Sequence, residues 1–336
     1  MDRIIELLKK GYLVRDSKYI LSLSDDEFKL LLNSLPKSQE PKVLEKNEIE
    51  KILKETKKKI YKISMMFPTL HTEIKIIEYI EIIKRRYEKL SEIIKNDILF
   101  LNPISINKIS KRFKTFSIIG VLYSIKDEKI VIEDLSSRIE VKLSEKAKSY
   151  LKYLREDVVI GAKCFFEDSQ IVCEEIFFPE FKQKDFEKLS KQNLNLDLKI
   201  GFFTKKIESE DKGDVNIFLA DENKVEENTI YLDRKIPIHR FFIEDFFFIV
   251  VDSNKIDFDL EFFLKTRLIT PKFEEFVKYK DDMALILQLP NVFIVYNSNK
   301  ENANFIDTNP IVVEIPKNLG KCLIDFKEKK IYNREE

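Results

Sequence analysis

Two histidines, His71 and His239, and three cysteines, Cys164, Cys173 and Cys322, are all the imidazoles and thiols in 336 residues. The thiols form neither an even disulfide framework nor a paired C-x-x-C knuckle. Cys164 and Cys173 fall in strand-like stretches with no histidine nearby in sequence, so a Cys/His nucleophilic pair has no support, and buried inert thiols are expected. His71 precedes a long helical pattern and His239 lies inside a strand pattern; both read as surface or packing residues. Six dispersed glycines provide no phosphate-cradling loop.

Two other sets of side chains suit binding rather than catalysis. Lys108, Lys111, Arg112 and Lys114 run up to Phe116 and Tyr123, with Phe165 and Phe166 further on. Cations for a phosphate backbone and rings for bases are what a single-stranded nucleic acid needs. Strand alternation sends about half of those rings inward, where core packing claims them. Phe241, Phe242, Phe246, Phe247 and Phe248 give one hairpin more apolar area than a single sheet face needs, which marks a candidate partner interface. Lys57, Lys58 and Lys59 end a helical pattern and read as a solvated tail favoured by the helix dipole.

The elements that must position these groups follow from periodicity. Asp2 to about Lys59 has helical spacing throughout, with Gly11 as a C-cap, a capping box at Ser24-Asp25-Asp26-Glu27, and Asn47 capping a helix to about Ile60. Tyr61 to Pro68 extends as a linker. Glu73 to Asp97 is a long amphipathic helix with Ile76, Ile77, Ile80, Ile83, Tyr87, Leu90 and Ile94 facing inward. The period then shortens to that of strands: Phe116 to Ile125, Lys129 to Asp134, Arg138 to Leu143, a helical stretch from Glu145 to Leu154, then Val158 to Glu167 and Gln170 to Phe178 around a turn at Asp168-Ser169. Five strands with a helix after the third are the order of an oligonucleotide/oligosaccharide-binding (OB) barrel.

A charged helix, Phe186 to Lys191, leads to a polar connector, Gln192 to Asp197. Beyond it, Leu198 to Phe203, Val215 to Ala220, a hairpin of Ile236 to Ile243 and Phe246 to Val251, a helix around Glu261 to Leu264, and strands at Val292 to Tyr296, Ile311 to Ile315 and Lys321 to Phe326 describe a layered, sheet-rich domain. The expected division is 1–60 helical, 61–115 linker and long helix, 116–180 barrel, and 181–336 sandwich.

Lys+Arg and Asp+Glu both number 59, so no global positive field exists and any nucleic-acid contact must be local. With 44% hydrophobic and 35% charged residues the chain has material for two ordinary cores of about 150 residues each. No apolar run approaches the ~20 residues of a membrane span, and the first residues alternate charge with apolar groups, so the chain is expected to stay in the cytoplasm.

Tyr87-Glu-Lys-Leu-Ser-Glu-Ile-Ile, Pro103-Ile-Ser-Ile-Asn, Ser117-Ile-Ile-Gly-Val, Ile132-Glu-Asp-Leu-Ser-Ser-Arg-Ile, Asp157-Val-Val-Ile-Gly and Cys173-Glu-Glu-Ile-Phe-Phe-Pro-Glu together resemble the small subunit of archaeal D-family DNA polymerase. Leu264-Lys-Thr-Arg-Leu-Ile-Thr-Pro and Thr308-Asn-Pro-Ile-Val-Val-Glu-Ile resemble the family's C-terminal segments, whereas Gln192 to Phe263 matches weakly and is short. The resemblance implies an α+β protein related to the B-subunits of eukaryotic replicative polymerases: a helical N-terminal region, a five-stranded OB-type barrel and a calcineurin-like phosphoesterase α/β sandwich.

Active members carry Asp, Asn and His motifs at successive strand ends, because two divalent ions ~3.5 to 4 Å apart generate the attacking hydroxide. Here Ile200-Gly-Phe-Phe runs into Thr204-Lys205-Lys206, and nothing resembles Gly-Asn-His-Asp. The remnant carboxylates are Asp221 after Ala220, and Asp252, which stands where the family has His-Gly. Asn297-Ser298-Asn299 replaces Gly-His-x-His. The expectation is an inactivated phosphoesterase homologue without cofactor or metal. It would act as a scaffold for a polymerase catalytic subunit, either the D-family large subunit or a B-family polymerase, with DNA and other replisome proteins as further partners. Two rivals stay open: a single-strand-binding OB protein, and a residual 3′-5′ exonuclease or phosphodiesterase using Asp221 and Asp252.

Overall fold

The computed structural model describes residues 2–36, 38, 41–56, 60–68, 76–100, 102–204, 213–270, 279 and 282–333. The chain divides into two compact units, Met1–Ile60 and Tyr61–Glu336. His71, Lys57, Lys58 and Lys59 lie outside the described residues.

The first unit contains α1 (Asp2–Lys9), β1 (Tyr12–Val14), α2 (Ser17–Ser22), α3 (Asp25–Ser34), β2 (Lys42–Leu44) and α4 (Lys46–Thr56). Leu7, Ile20, Phe28, Leu31, Leu44 and Ile49 form its core. The capping box at Ser24 and Glu27 is present, and Gly11 ends α1 at φ +88°, a backbone region that glycine enters freely. Helical spacing throughout is corrected by β1 and β2, a short parallel pair. Asn47 is not a cap: α4 starts one residue earlier, and the Glu48 side chain accepts from the Glu45 amide.

In the second unit the stretch expected to be a linker forms an edge strand, β3 (Ile63–Met66). The long helix is α5 (Ile76–Lys95). Ile77 and Ile80 are exposed, contrary to the predicted stripe, and the buried face carries Ile82, Arg86, Leu90 and Ile94. The stripe holds at Tyr87, Leu90 and Ile94, which pack on the barrel core, and fails at Ile77 and Ile80, because the helix meets the barrel through its C-terminal half. There Gly161 permits the approach: a Cβ on it would lie 2.8 Å from the Phe100 ring and 2.9 Å from Ile94.

The barrel is closed in the order β4-β5-β6-β8-β7: β4 (Thr115–Lys126), β5 (Lys129–Glu133), β6 (Arg138–Leu143), α6 (Glu145–Lys148), β7 (Val159–Glu167) and β8 (Gln170–Phe177). The helix expected to reach Leu154 stops at Lys148 and gives way to a 3-10 turn, Leu151–Tyr153. Asp168 and Ser169 both take positive φ, the demand of a two-residue hairpin turn matched to strand twist. Cys164 and Cys173 are buried in this core and Cys322 in the sandwich, all as free thiols.

After α7 (Gln183–Asn193) come β9 (Lys199–Phe203), β10 (Val215–Ala220), β11 (Lys224–Glu226), β12 (Thr229–Asp233), β13 (Ile238–Ile243), β14 (Phe246–Asp252), α8 (Leu260–Thr266), β15 (Val292–Ser298), β16 (Asn304–Ile306), β17 (Ile311–Pro316), β18 (Lys321–Asp325) and β19 (Lys330–Asn333). They make two six-stranded mixed sheets, β11-β12-β10-β9-β18-β19 and β16-β17-β15-β14-β13-β3. The sheets share a core of Ile200, Phe202 and Ile217 against Phe241, Phe248 and Ile294. Leu189 of α7, Phe263 of α8 and Ile286 cover the other face of the second sheet. The chain is thus α+β, and no described helix is long and apolar enough to cross a membrane.

Candidate functional site

Parallel strands β9, β10 and β12 of one sheet and β14, β15 and β17 of the other end near one another, the end at which parallel sheets gather ligands. Asp252, at the tip of β14, is buried. Its Oδ1 accepts from Asn297 Nδ2 at 2.9 Å and from the Asn254 amide at 3.1 Å, while Lys255 Nζ lies 3.3 Å from Oδ2. Asn297 reaches it from the tip of β15 at φ 59°, a left-handed backbone that asparagine tolerates. Lys255 also donates to the Arg234 carbonyl and so joins the two sheets.

Arg234, just past β12, closes the neighbouring tips. Its Nη2 donates to the Thr204 carbonyl at 2.7 Å and to the Leu219 carbonyl at 2.9 Å, and its Nε to Leu219 at 3.2 Å. A guanidinium and an ammonium therefore stand among the strand ends. Burial, reinforced by the adjacent Asp252 carboxylate, raises the Tyr296 phenol well above its ordinary value and keeps it protonated. Behind it His239 is almost fully buried in β13, and burial pushes its imidazole down to about 4 even though the Asp233 and Ile236 backbones favour the charged form. Neither ring nitrogen finds a hydrogen-bond partner of good geometry.

Of the two candidate carboxylates, Asp221 lies exposed beyond β10, and Asp252 has three protein donors directed at its oxygens. A metal at Asp252 would have to displace Asn297 and Lys255, so the donor set suits a hydrogen-bonded strut better than a dinuclear cage. Among the described residues no group of three or more His, Cys, Asp or Glu is arranged to hold an ion. Lys205 and Lys206 lie outside the described residues. Sequence reading passed over Arg234, Lys255 and Tyr296. The i,i+3 spacing of Asp252 and Lys255 in a turn was the available signal.

The barrel's basic run is assembled differently from expectation. Lys108, Lys111, Arg112 and Lys114 are all exposed, and among the described residues none has a carboxylate partner. Phe116 is corrected to the core, where it packs on Phe166 with ring centroids 5.6 Å apart and offers no face to a base. Tyr123 is 50% exposed, with the Arg138 guanidinium 3.8 Å from its ring centroid. The ring that sequence reading missed is Phe113, 41% exposed within the basic run itself.

The candidate partner hairpin is corrected more fully. Phe241 and Phe248 stack at 5.6 Å inside the sandwich core, and Phe246 is partly buried against it. Phe242 stacks on Phe247 at 4.8 Å on the opposite face. Two packed faces, one on each side of the sheet, take up most of the apolar area that a single face could not, with Phe242 and Phe246 half-buried.

Compared with known protein families the chain matches no family model, and curated proteins include no significant match to its sequence.

Proposed function

We propose that this chain is a non-catalytic accessory subunit of a replicative DNA polymerase, in which an OB-type barrel and an inactivated phosphoesterase-type sandwich hold the catalytic subunit. Support comes from the order of parts: a small N-terminal unit, a closed five-stranded barrel, then two facing mixed sheets. That order is the one implied by the resemblance of residues 73–180 and 236–330 to the D-family small subunit.

The observation that carries the non-catalytic reading is Arg234 bridging the Thr204 and Leu219 carbonyls, with Lys255 against Asp252. Built-in cations at these tips repel divalent ions and satisfy the oxygens that would otherwise bind them. The function left to such a domain is positioning, with partners of the D-family large-subunit or B-family polymerase type. A second reading, direct contact with single-stranded DNA, is favoured by the exposed Lys108, Lys111, Arg112 and Lys114 around Phe113.

Affinity purification of the tagged full chain from its native cell tests the assignment. Recovery of a polymerase catalytic subunit in comparable amount is the expected result, and its absence overturns the reading. Manganese-dependent cleavage of a single-stranded oligonucleotide, abolished by D221A/D252A, would overturn the non-catalytic part alone.

A further inference from the structure

A cleft of about 430 Å³ opens between α5, the outer face of β13 and β3, and the segment up to Gln288. Its described lining includes Arg85, Arg86, Lys89 and Arg240 together with the carboxylate of Asp282. That carboxylate already receives Arg86 in a bidentate pair, so the cations the cleft presents, among the described residues, are Arg85 and Lys89. Arg85 and Lys89 stand one helical turn apart, both exposed, and neither has a carboxylate partner among the described residues. Met66, Phe67 and Leu287 give the cleft an exposed apolar rim, with Phe67 53% accessible.

A second, independent feature lies beside it. Strand β3 is the last in its sheet and pairs only with β13, so among the described residues no strand occupies its outer edge. Such an edge is a template for one more extended chain. The strand's own residues, Ile63, Ser64, Met65 and Met66, carry none of the charges or prolines that blunt an edge.

We propose that this cleft docks an extended acidic peptide segment of a partner protein. The segment lies along β3 through main-chain hydrogen bonds, sets an apolar side chain on Met66, Phe67 and Leu287, and turns carboxylates toward Arg85 and Lys89. Charge complementarity selects the acid, because carboxylate forks match guanidinium and ammonium donors. A nucleic-acid strand fits less well: it needs successive stacking platforms, and among the described lining residues Phe67 is the one exposed ring, since Phe242 and Phe247 stack on each other. The proposal is independent of the polymerase assignment, because it concerns the chemistry of the occupant and not its identity.

The test is selection of a displayed random-peptide library on the full chain, with counter-selection on R85E/K89E. Enriched sequences should combine Asp or Glu with a large apolar residue. The synthetic form of one should bind wild type at least about tenfold more tightly than R85E/K89E, and lose affinity in high salt. Methylation of alternate backbone nitrogens should abolish binding, because the edge contact needs those donors. Both substituted positions are exposed, and R85Q/K89Q, with an unchanged melting temperature, serves as the milder variant. Enriched peptides without acidic excess, or equal binding by both charge variants, overturn the proposal. Displacement of the peptide by oligo-dT that itself binds in an Arg85- and Lys89-dependent way also overturns it, in favour of nucleic acid.

Discussion

Arg86 and Asp282, 196 residues apart in the chain, meet in a bidentate pair: Arg86 Nη2 donates to Asp282 Oδ1 at 2.7 Å and Nε donates to Oδ2. Arg86 is 3% exposed, and Asp282 also accepts from the Ala284 and Leu285 amides at 3.2 Å. Leu285 in turn packs into the barrel core. One carboxylate thus ties the middle of α5 to a segment belonging to both the barrel and the sandwich.

The two halves of that pair should differ in cost. Asp282→Ala removes the bidentate acceptor of a buried guanidinium and the acceptor of two amides, and should remove about 3 kcal/mol of stability. Arg86→Met leaves a carboxylate that keeps both amide donors at the cleft rim, and should remove about half as much. Urea unfolding of both variants checks the order. Equal losses would mean that the amide bonds to Asp282 contribute little.

The lowered imidazole of His239 makes stability depend on pH. In the unfolded chain it titrates near its ordinary 6.5, and in the folded chain near about 4. The unfolded state therefore binds the extra proton first, and stability is lost as pH falls from about 6.5 toward about 4. The loss across that window should approach about 3 kcal/mol. His239→Leu should flatten the urea midpoint between pH 6.5 and pH 4.5 without shifting it near pH 7.5. A wild-type midpoint that stays level over the same range would rule out a neutral buried imidazole.

Where hydrophobic period alone decides an element, the sequence was a good guide. β10 matches its predicted limits, and the barrel strands agree to within a residue or so at each end. The barrel is legible because its strands are apolar runs cut by turns: β5 alternates, whereas Phe116 to Gly120 of β4 and Val159 to Ala162 of β7 are buried without a break. β11, β12, β16 and β19 were not foreseen, being three to five residues long. Short strands of that kind gain their stability from neighbours contributed by distant sequence, which local pattern does not contain. The same limit explains Arg86: a cation on a helix reads as solvent-facing until a carboxylate 196 residues away is brought to it. At the strand tips, Asp252 was legible as a residue but its role was not, since Asn297 and Lys255 become its donors only once β14 and β15 lie side by side.

That role separates Asp252 from Asp221. Asp252→Ala removes the acceptor shared by Asn297, the Asn254 amide and Lys255, and should cost about 2 kcal/mol. Asp221→Ala, at an exposed position, should stay within about 0.5 kcal/mol of wild type. Adding manganese should leave the melting temperature of both variants and of the wild type unchanged. A manganese-induced rise in wild type that disappears in Asp252→Ala would instead identify Asp252 as a ligand.

Phe113 and Phe116, three residues apart, should respond in opposite assays. Phe113 is exposed among Lys111, Arg112 and Lys114, whereas Phe116 packs in the barrel core. If the barrel contacts single-stranded DNA, Phe113→Ala should weaken oligo-dT binding by about 1 to 3 kcal/mol, the range for loss of one stacking platform, with little change in melting temperature. Lys111→Gln should lower the slope of log affinity against log salt by about one. Phe116→Ala should instead cost about 3 kcal/mol of folding stability, because it empties part of the core, and leave the affinity of the remaining folded protein unchanged. Fluorescence anisotropy at several salt concentrations, run beside thermal melts, separates these outcomes. Oligo-dT binding untouched by both Phe113→Ala and Lys111→Gln would remove DNA from this face of the barrel and leave it to protein partners.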